Sequence, residues 1–447
     1  MDKLLALACF GMGVAIVVLA FPEGNVALLL TAAISFLAVW LIRYAVPDES
    51  LFVTRVFIVA LLARLGFGLI IHVFDLRAFF GGDALTYDFY GNQLMESWFS
   101  GFADPYGYQI LEYRVSGVGW GMIYLVGGLY TVVGRNILAA QFFSAIVGAG
   151  IAPLVFVCSK KIFNNLRAAK VAAIAVAVYP AFIIWTGQLL KDGLIVFMLV
   201  LCMIMVLNLV NRFKISDFFF LIVALFGIIS LRFYIFYVVA IAVVGAFIMV
   251  REVSPRLVIR NLIILLIVGV ALTYVGVIRY ATEEFDKYGD LERVQISRQD
   301  LADTESGFAP DVDVSTAEGV VTAIPLGLIY LLLAPFPWDM ANLRQTVTLP
   351  DMMMWWASIP FLISGLYFAV RNRLQRSAGI LIFSILLCLA YAAFLGNIGT
   401  AYRQRIQIQV FLFMFVGVGI TLFLEKRENR AAIRKAKNRR PRALQHQ

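Results

Sequence analysis

Apolar runs close to the length of a membrane span recur from one end of this chain to the other. A helix needs roughly 20 residues to cross the hydrocarbon core of a bilayer, and such runs fill most of the 447 residues. Hydrophobic residues make up 62% and charged residues 15% of the sequence, whereas soluble domains have roughly half and about a quarter. Because backbone groups in lipid must be hydrogen-bonded within the structure, these runs predict an all-α polytopic membrane protein.

The lengths of the apolar runs predict about twelve membrane spans. They lie at 4–21, 25–46, 53–74, 136–158, 170–189, 192–211, 215–232, 234–250, 261–278, 351–370, 378–395 and 406–424. Two further apolar segments, 116–134 and 319–338, contain Gly and Pro residues and are predicted as juxtamembrane or re-entrant helices on the outer face. No small-residue cleavage site follows the first run, which favours a retained helix over a signal peptide.

Lys and Arg concentrate in loops that alternating spans place on one face of the membrane. These segments are 159–170, 211–214, 251–260, 371–376 and the tail 425–447. The positive-inside rule predicts that this face, with both termini, is cytoplasmic. A basic tail beside a span is expected to contact anionic membrane lipids, so we predict no nucleic-acid partner. The predicted plan is one transmembrane catalytic domain over 1–424 followed by the basic cytoplasmic tail.

The long loops, which are not needed merely to connect one span to the next, lie on the opposite, predicted outer face. They include a long first outer loop at 75–135 and a second outer loop at 279–350. Within the second, the acidic stretch 281–318 is predicted to be solvated or partly disordered. We therefore expect any chemistry at the outer face, which is the periplasmic side if the chain lies in a cell inner membrane.

The first outer loop contains two carboxylates in "GGDALTYDFYG". Asp83 follows Gly81 and Gly82, which allow a tight turn and a close approach of backbone to a ligand. In a helix that starts near this point, Asp83 and Asp88 would be separated by about 140° and would not share a face. One carboxylate then acts as a base and the other is structural. The alternative is that Asp83 only caps the helix, a role that Asp fills well.

Several cations lie on the outer face against the positive-inside bias. Lys191 and Asp192 occupy a tight turn between two spans, and Arg232, Arg403 and Arg405 lie at outer helix ends. Arg donates bidentate hydrogen bonds to phosphate, and Lys acts as a point charge. These cations suit an anionic lipid headgroup. Pairing with acids of the 281–318 loop, or snorkelling of Lys191, is the alternative.

A carboxylate base beside cations suits a transferase that uses a lipid-linked sugar. The carboxylate removes a proton from an acceptor hydroxyl, and the cations stabilise the departing phosphate. Only two His and four Cys are present, without CxxC spacing, so a zinc site is not indicated. Asp83, Asp88 and Glu112 could together hold a divalent cation, but their spacing does not require one. We predict no metal and no cofactor.

Three stretches of the first half of the chain are familiar as a set: "GGDALTYDFYGNQL", "GVGWGMIYLVGGLYTVVGRN" and residues 139–197. In this order they resemble the GT-C membrane glycosyltransferases, in the branch of bacterial relatives of protein O-mannosyltransferases and lipid A aminoarabinose transferases. The resemblance covers roughly 53–250, and more weakly 319–410, where "LLLAPFPW" and "GNIGTAYRQR" are similar to bacterial members.

The resemblance implies roles for individual residues. Asp83 matches the first-loop acid that serves as catalytic base or orients the acceptor, and Tyr87 lies where an aromatic residue follows that acid. Lys191 and Asp192 match a position that is often acidic in the mannosyltransferase branch, so the lysine is a departure. Many relatives have adjacent acids in the first loop, whereas Ala84 follows Asp83 here. The resemblance also supports a juxtamembrane helix at 116–134.

The predicted function is therefore an inverting, Asp-assisted glycosyltransferase. Its predicted donor is a polyprenyl-phosphate-linked sugar, and its acceptor is a cell-envelope glycan, lipid or protein. The predicted catalytic residue is Asp83, and the predicted substrate-binding residues are Tyr87, Asp88, Lys191, Asp192, Arg232, Arg403 and Arg405.

Two alternatives remain open on the sequence. A polysaccharide polymerase or ligase acting on lipid-diphosphate-linked glycans would also use outer arginines, but it would depend less on Asp83. A lipid or glycan transporter would need ionisable residues near the bilayer midplane and inverted repeats. Arg64 is the main residue of that kind.

Overall fold

The all-α prediction is confirmed. A computed structural model describes residues 2–80, 82–100, 105–117, 119–249, 255–274, 276–338, 340 and 343–443. Throughout these ranges the secondary structure is helical, and a single β-bridge joins Gly307 to Asn397. Gly81, one of the glycines in the first-loop motif, lies outside the described residues.

The described residues of the first half of the chain form eleven α-helices. They are α1 (Asp2–Leu19), α2 (Glu23–Ala45), α3 (Ser50–Val73), α4 (Arg77–Phe80), α5 (Asp83–Ser100), α6 (Pro105–Ser116), α7 (Gly121–Val133), α8 (Ile137–Phe163), α9 (Leu166–Val178), α10 (Pro180–Thr186) and α11 (Lys191–Asn211). A short 3₁₀ helix at Pro47–Glu49 precedes α3.

The second half forms ten more. They are α12 (Ile215–Leu231), α13 (Phe233–Ile248), α14 (Pro255–Tyr274), α15 (Val277–Tyr288), α16 (Leu291–Ala302), α17 (Ala317–Leu333), α18 (Leu343–Val347), α19 (Leu349–Asn372), α20 (Leu374–Phe394) and α21 (Ile398–Ala443).

The apolar helices make this a multi-pass membrane protein. Among the described residues, eight helices are long and apolar enough to cross a membrane. The number rises to eleven if each of three sharply bent helix pairs, α6 with α7, α9 with α10 and α14 with α15, is one span. The helices α12, α13 and α17 are apolar but shorter. Each of the predicted spans falls on one of these helices or bent pairs.

Helix α8 forms the centre of the bundle, because its small residues allow close packing. Ala139, Ala145, Ala149 and Ala152 are fully buried along its length, and the helix packs against α2, α3, α9 and α11. At Gly148, an added Cβ would lie 2.5 Å from the Thr186 hydroxyl. A second layer forms where α21 packs against α9 and α19.

The predicted span 170–189 is not one continuous helix. Its two halves, α9 and α10, are bent by 55° at Tyr179, which is extended and precedes Pro180. Proline disfavours the helical conformation in the residue before it. The buried Arg64 binds both sides of the break, since it donates to the Ala177 carbonyl at 3.2 Å and to the Thr186 hydroxyl at 2.7 Å.

The acidic stretch 281–318 is more ordered than predicted. It contains most of α15, all of α16 and the start of α17. The buried side chain of Arg298 holds the segment between α16 and α17, because it donates to the carbonyls of Ala309 and Val312 at 3.0–3.1 Å. Because backbone carbonyls supply the contacts, sequence composition alone did not indicate this packing.

The predicted cytoplasmic segments meet at one end of the bundle. Arg167 pairs with Glu428 at 3.0 Å, which joins the start of α9 to the extension of α21. Arg260 donates to the carbonyl of Asn211, the last residue of α11. The loops predicted to be outer include the start of α5 and the start of α21, which are in contact through Asp83 and Arg403.

Candidate functional site

Six of the predicted site residues come together at the end of the bundle that carries the predicted outer loops. We call this set the ionic cluster: Asp83, Tyr87, Lys191, Asp192, Arg232 and Arg403. They come from the first turn of α5, the first turn of α11, the joint between α12 and α13, and the first turns of α21. Residues up to 320 positions apart in sequence are in direct contact.

Asp192 is the buried anion of the ionic cluster. Its side chain is 0% exposed and accepts a 2.6 Å hydrogen bond from Arg403 Nε. Arg232 Nη2 lies 3.1 Å from its other oxygen. The carboxylate is in the first turn of α11, where the helix dipole favours a negative charge. Two guanidinium groups and the dipole therefore hold a charge that burial alone would disfavour.

Asp83 is the accessible anion of the ionic cluster. It begins α5, and its Oδ2 accepts a 3.0 Å hydrogen bond from Arg403 Nη2. Its side chain is 47% exposed, whereas that of Arg403 is 16% exposed. Arg403 thus bridges the two carboxylates. One oxygen of Asp83 stays open to a hydroxyl-bearing ligand.

Tyr87 lies one helical turn after Asp83 and on the same face of α5. It is buried, and burial, with the nearby Asp83 charge, raises the pKa of its phenol. The hydroxyl therefore stays protonated at physiological pH and can donate a hydrogen bond. Its charged neighbours are Asp83, Arg403, Asp192 and Arg232.

The ammonium group of Lys191 lies beside Gly119 in the ionic cluster. A Cβ built on Gly119 would lie 3.3 Å from the ammonium nitrogen, and Gly119 has a φ of +81°. That backbone conformation is strained for residues with a Cβ. Gly119 therefore leaves room for the lysine head group beside the joint between α12 and α13.

Arg232 retains an unused donor inside the ionic cluster. It is the single extended residue between α12 and α13, and its side chain is 7% exposed. Its buried Nη1 has no hydrogen-bond partner among the described residues. A buried donor without a partner costs free energy. A ligand oxygen would remove that cost.

A cavity of about 380 Å³ adjoins the ionic cluster through Arg403. Ligand sites generally span roughly 300–1,000 Å³. Its lining combines aromatic side chains with hydroxyls and amides: Phe79, Phe80, Ile184, Trp185, Thr304, Glu305, Ser306, Pro335, Gln345, Val347, Thr348, Asn397, Ile398, Gly399, Thr400, Tyr402 and Arg403. The Arg403 guanidinium lies 5.6 Å from the centre of the Trp185 ring.

Asn397 connects two walls of this cavity. Its amide nitrogen donates to the hydroxyls of Thr304 at 2.6 Å and Ser306 at 2.8 Å. Its amide oxygen accepts from the Thr400 N–H at 2.8 Å. The start of α21, which carries Arg403, is thereby fixed to the outer loop after α16.

Asp88 lies outside the ionic cluster. Its carboxylate accepts hydrogen bonds of 2.6 Å from the Tyr130 hydroxyl and from Arg135 Nη2. The two first-loop carboxylates thus point to different partners, as the helical geometry predicts. Through these bonds Asp88 connects α5 to Tyr130 of α7 and to Arg135 in the short link between α7 and α8.

Arg405 also lies outside the ionic cluster, although it is two residues from Arg403. It is fully buried, donates to the Ala334 carbonyl, and contacts Met352 Sδ at 3.0 Å. Nearby, Tyr402 donates to Asp351 at 2.9 Å. Alternate residues of a helix face different directions, so the second arginine supports the fold rather than the cavity.

Sequence reasoning missed the aromatic part of the site. Trp185 and Tyr402 line the cavity, but within apolar helices they are indistinguishable from packing residues. The signal available for Trp185 was its position six residues before Lys191, at the same predicted outer turn. Tyr402 is adjacent to Arg403, and this adjacency was the only sequence signal for it.

Asp83, Asp88 and Asp192 each pair with an arginine. Asp83 and Asp192 share Arg403, and Asp88 is paired with Arg135. Within the described part of the chain, no group of three or more His, Cys, Asp or Glu side chains lies close enough to hold a metal ion.

No family model matches the sequence, and no curated protein is similar to it. Among solved structures, the chain is similar to the apo crystal structure of the Archaeoglobus fulgidus oligosaccharyltransferase, with 14% identity and a TM-score of 0.41, over 71% of this chain and 44% of that one. It is also similar to the archaeal oligosaccharyltransferase AglB from Archaeoglobus fulgidus, bound to an inhibitory peptide and a dolichol-phosphate, with 14% identity, a TM-score of 0.42, and coverage of 79% and 52%. The chain thus aligns with about half the length of these structures.

Proposed function

We propose that this chain is a membrane glycosyltransferase of the GT-C kind, which moves a sugar from a polyprenyl-phosphate donor to an acceptor at the outer face. One observation supports this function above all. A half-exposed carboxylate, Asp83, shares Arg403 with a fully buried carboxylate, Asp192, in a cluster rich in cations. An accessible base beside buried positive charge suits a transfer that releases a phosphate.

Asp83 acts as the base. An acceptor hydroxyl gives its proton to the open Asp83 oxygen while the hydroxyl oxygen bonds to the sugar's anomeric carbon. The bond from that carbon to the donor phosphate breaks, and its electron pair leaves with the phosphate. Attack opposite to the leaving group inverts the anomeric centre. A positioned base of this type contributes roughly 10²–10⁴-fold in rate.

Arg232 and Lys191 bind the leaving phosphate. Arg232 has a buried N–H without a partner among the described residues, and Lys191 adds a flexible positive charge beside it. Fixed cations in a partly buried site stabilise charge that develops on the leaving group. Arg403 is a positioning residue, because it holds Asp83 against Asp192.

The 380 Å³ cavity receives sugar. Hydroxyls and amides of Thr304, Ser306 and Thr400 suit the hydroxyls of a sugar ring, and Trp185 offers an apolar face for the ring's C–H side. The acceptor is a periplasmic glycan, lipid or protein, and the protein lies in a cell inner membrane. The chemistry assigned to Asp83 and the cations needs no metal.

The decisive experiment compares two aspartates on the same helix. In a deletion strain, Asp83→Asn, Asp88→Asn and wild type are expressed at matched membrane abundance, and envelope glycans and polyprenyl-phosphate sugars are profiled by mass spectrometry. We expect Asp83→Asn to leave the glycan missing while the lipid-linked sugar accumulates. We expect Asp88→Asn to restore the glycan. Full restoration by Asp83→Asn would rule out the assigned base.

One observation favours a second function, a polymerase or ligase acting on lipid-diphosphate-linked glycans. The ionic cluster holds three cations against two carboxylates, so it has positive charge in excess for a diphosphate. That function would extend a glycan by several units, whereas single transfer adds one sugar. The length distribution of the product separates them.

Transport has less support. The interior cation that would favour it, Arg64, is engaged at the break between α9 and α10. It therefore stabilises a bent span.

A further inference from the structure

A second cavity lies at the end of the bundle opposite the ionic cluster. Its volume is about 760 Å³, and it forms where α11, α13 and α19 end and α20 begins. Helix α11 has Asp192 in its first turn and Asn211 at its last position, 21 residues in all. At about 1.5 Å per residue, the two sites are roughly 30 Å apart.

One part of this cavity is apolar and the other is cationic. Its lining residues are Met203, Val206, Leu207, Val210, Asn211, Ala246, Met249, Val370, Arg371, Asn372, Arg373, Leu374, Gln375, Arg376, Gly379 and Ile380. The apolar side chains come mainly from α11 and the end of α13. The arginines form what we call the arginine turn: Arg371 at the end of α19, Arg373 between the helices and Arg376 in the first turn of α20. None of the described residues that line the cavity is acidic.

The three arginines have guanidinium N–H groups that are available to a ligand. Arg371, Arg373 and Arg376 have no carboxylate partner in the described parts of the chain. Arg373 Nε is buried and has no hydrogen-bond partner among those residues, while Arg371 donates to the Tyr367 hydroxyl at 2.8 Å. Like charges this close repel, so a bound anion would stabilise the turn.

We infer that this cavity binds an anionic phospholipid. Arg371, Arg373 and Arg376 hold its phosphate, for which guanidinium groups are suited as bidentate donors. The start of an acyl chain lies against Met203, Leu207 and Met249, which line the cavity. The site is separate from the ionic cluster, and it stands whether or not the chain transfers sugar.

The shape of the cavity distinguishes a lipid from a free ion. A free phosphate would use only the arginine turn and leave the apolar wall in water. An amphiphile covers both parts, and burial of apolar surface adds to the binding free energy. This end also carries the basic loops that the positive-inside rule assigns to the cytoplasm, where the leaflet is rich in anionic lipid.

Native mass spectrometry of the purified full chain in detergent tests the inference. Phosphatidylglycerol and phosphatidylcholine are titrated against wild type, the double variant Arg373→Gln/Arg376→Gln, and the control Arg427→Gln/Arg430→Gln. The control removes two exposed arginines from the extension of α21, at the same end and outside the cavity. A third variant, Leu207→Trp, fills the apolar wall and leaves every charge in place.

We expect wild type and control to prefer phosphatidylglycerol. The double arginine variant should bind phosphatidylglycerol about tenfold or more weakly than wild type does, because two charge-assisted contacts disappear. Leu207→Trp should also bind phosphatidylglycerol more weakly than wild type does. Millimolar inorganic phosphate should displace little lipid from the wild-type protein. Melting temperatures within a few degrees of wild type show that each variant is folded.

Three results would overturn the inference. Equal retention of the two lipids would remove the charge selectivity. A loss in the control as large as in the cavity variant would point to general surface charge. Unchanged binding in Leu207→Trp, with displacement by inorganic phosphate, would leave an ion site without a lipid.

Discussion

Asp192 has no exposed surface and contacts two guanidinium groups. Asp83, with the same chemistry, is half-exposed and shares one of those groups. The difference in burial separates their roles. The buried carboxylate contacts two arginines, and the accessible one is the proposed base.

Asp192→Asn should destabilise the protein. The substitution leaves Arg232 and Arg403 as buried charges without their central anion, and breaking a buried ion pair in this way costs about 3–5 kcal/mol. We expect the lower end of that range, because Asp83 still pairs with Arg403. Thermal unfolding in detergent and membrane abundance measure the loss. A variant as stable as wild type would contradict this stabilising role of Asp192.

Asp88→Asn should cost little. Asn can still accept from Tyr130, and the pair with Arg135 involves a half-exposed arginine, so it is worth under about 1 kcal/mol. We expect near-normal glycan formation and a slight fall in melting temperature. A complete loss of glycan in a stable Asp88→Asn protein would place this residue in the site after all.

Sequence reasoning located the charged half of the site because outer cations contradict a strong compositional rule. It could not assign Arg403 and Arg405 to different surroundings, since that depends on the rotation of α21 against its neighbours. Asp351, in the first turn of α19, is buried and accepts a hydrogen bond from Tyr402, and its place at the start of a predicted span did not indicate this contact. Packing, which no local pattern encodes, decided these cases.

At the scale of helices, the position of Asp83 depends on how closely α5 approaches α7. A Cβ on Gly91 would lie 2.5 Å from a methyl carbon of Val126, so the two helices pack with almost no space between them. Breaks between consecutive helices affect the fold as much as this close packing does. The break at Pro180 was not predicted, because the apolar run continues through it, and α15 and α16 were missed because their charged composition resembles that of a loop.

Gly91→Val should move α5 away from α7 and displace Asp83. Overpacking of this kind costs about 1–3 kcal/mol, and we expect glycan formation to fall more than stability does. The matched control is Gly128→Ala on α7, where an added Cβ meets nothing within 4 Å. Glycan yield and melting temperature are compared between the two. Equal, wild-type yields would contradict the positioning of Asp83 by this contact.

Thr186→Val should weaken the bent span. The hydroxyl that accepts from Arg64 Nε would be lost, and a buried donor left without a partner costs about 1–3 kcal/mol. Thr31→Val serves as control, because that buried hydroxyl donates only to the Ala27 carbonyl of its own helix. Unfolding in detergent gives the difference. Similar losses in both variants would show that Arg64 does not stabilise the break.

At the scale of the whole molecule, the two ends of the bundle carry different chemistry. One end holds the ionic cluster and its cavity, and the other holds the basic segments joined by Arg167 and Glu428. The helical class and the grouping of loops into two sets followed from apolar length and the distribution of Lys and Arg. The spacing of helices around α8 did not, because it depends on which small residues face one another.

Cysteine labelling tests the orientation. In a background with Cys9→Ala, since Cys9 is exposed, we introduce Asp311→Cys in the outer loop or Arg430→Cys in the extension of α21. Both positions are exposed. A membrane-impermeant maleimide added to intact spheroplasts should label the first and spare the second, which should react only after lysis. The reverse pattern would invert the predicted topology.

Arg403 belongs to α21, whereas the carboxylate that it contacts in α5 was synthesised 320 residues earlier. During biosynthesis, the first loop and Asp192 therefore reach the membrane long before their cationic partner emerges from the ribosome. Until α21 inserts, the nascent protein has no assembled site and carries a buried carboxylate short of one partner. The proposed site is therefore complete only once α21 has been synthesised, and we expect fragments truncated before α21 to lack activity.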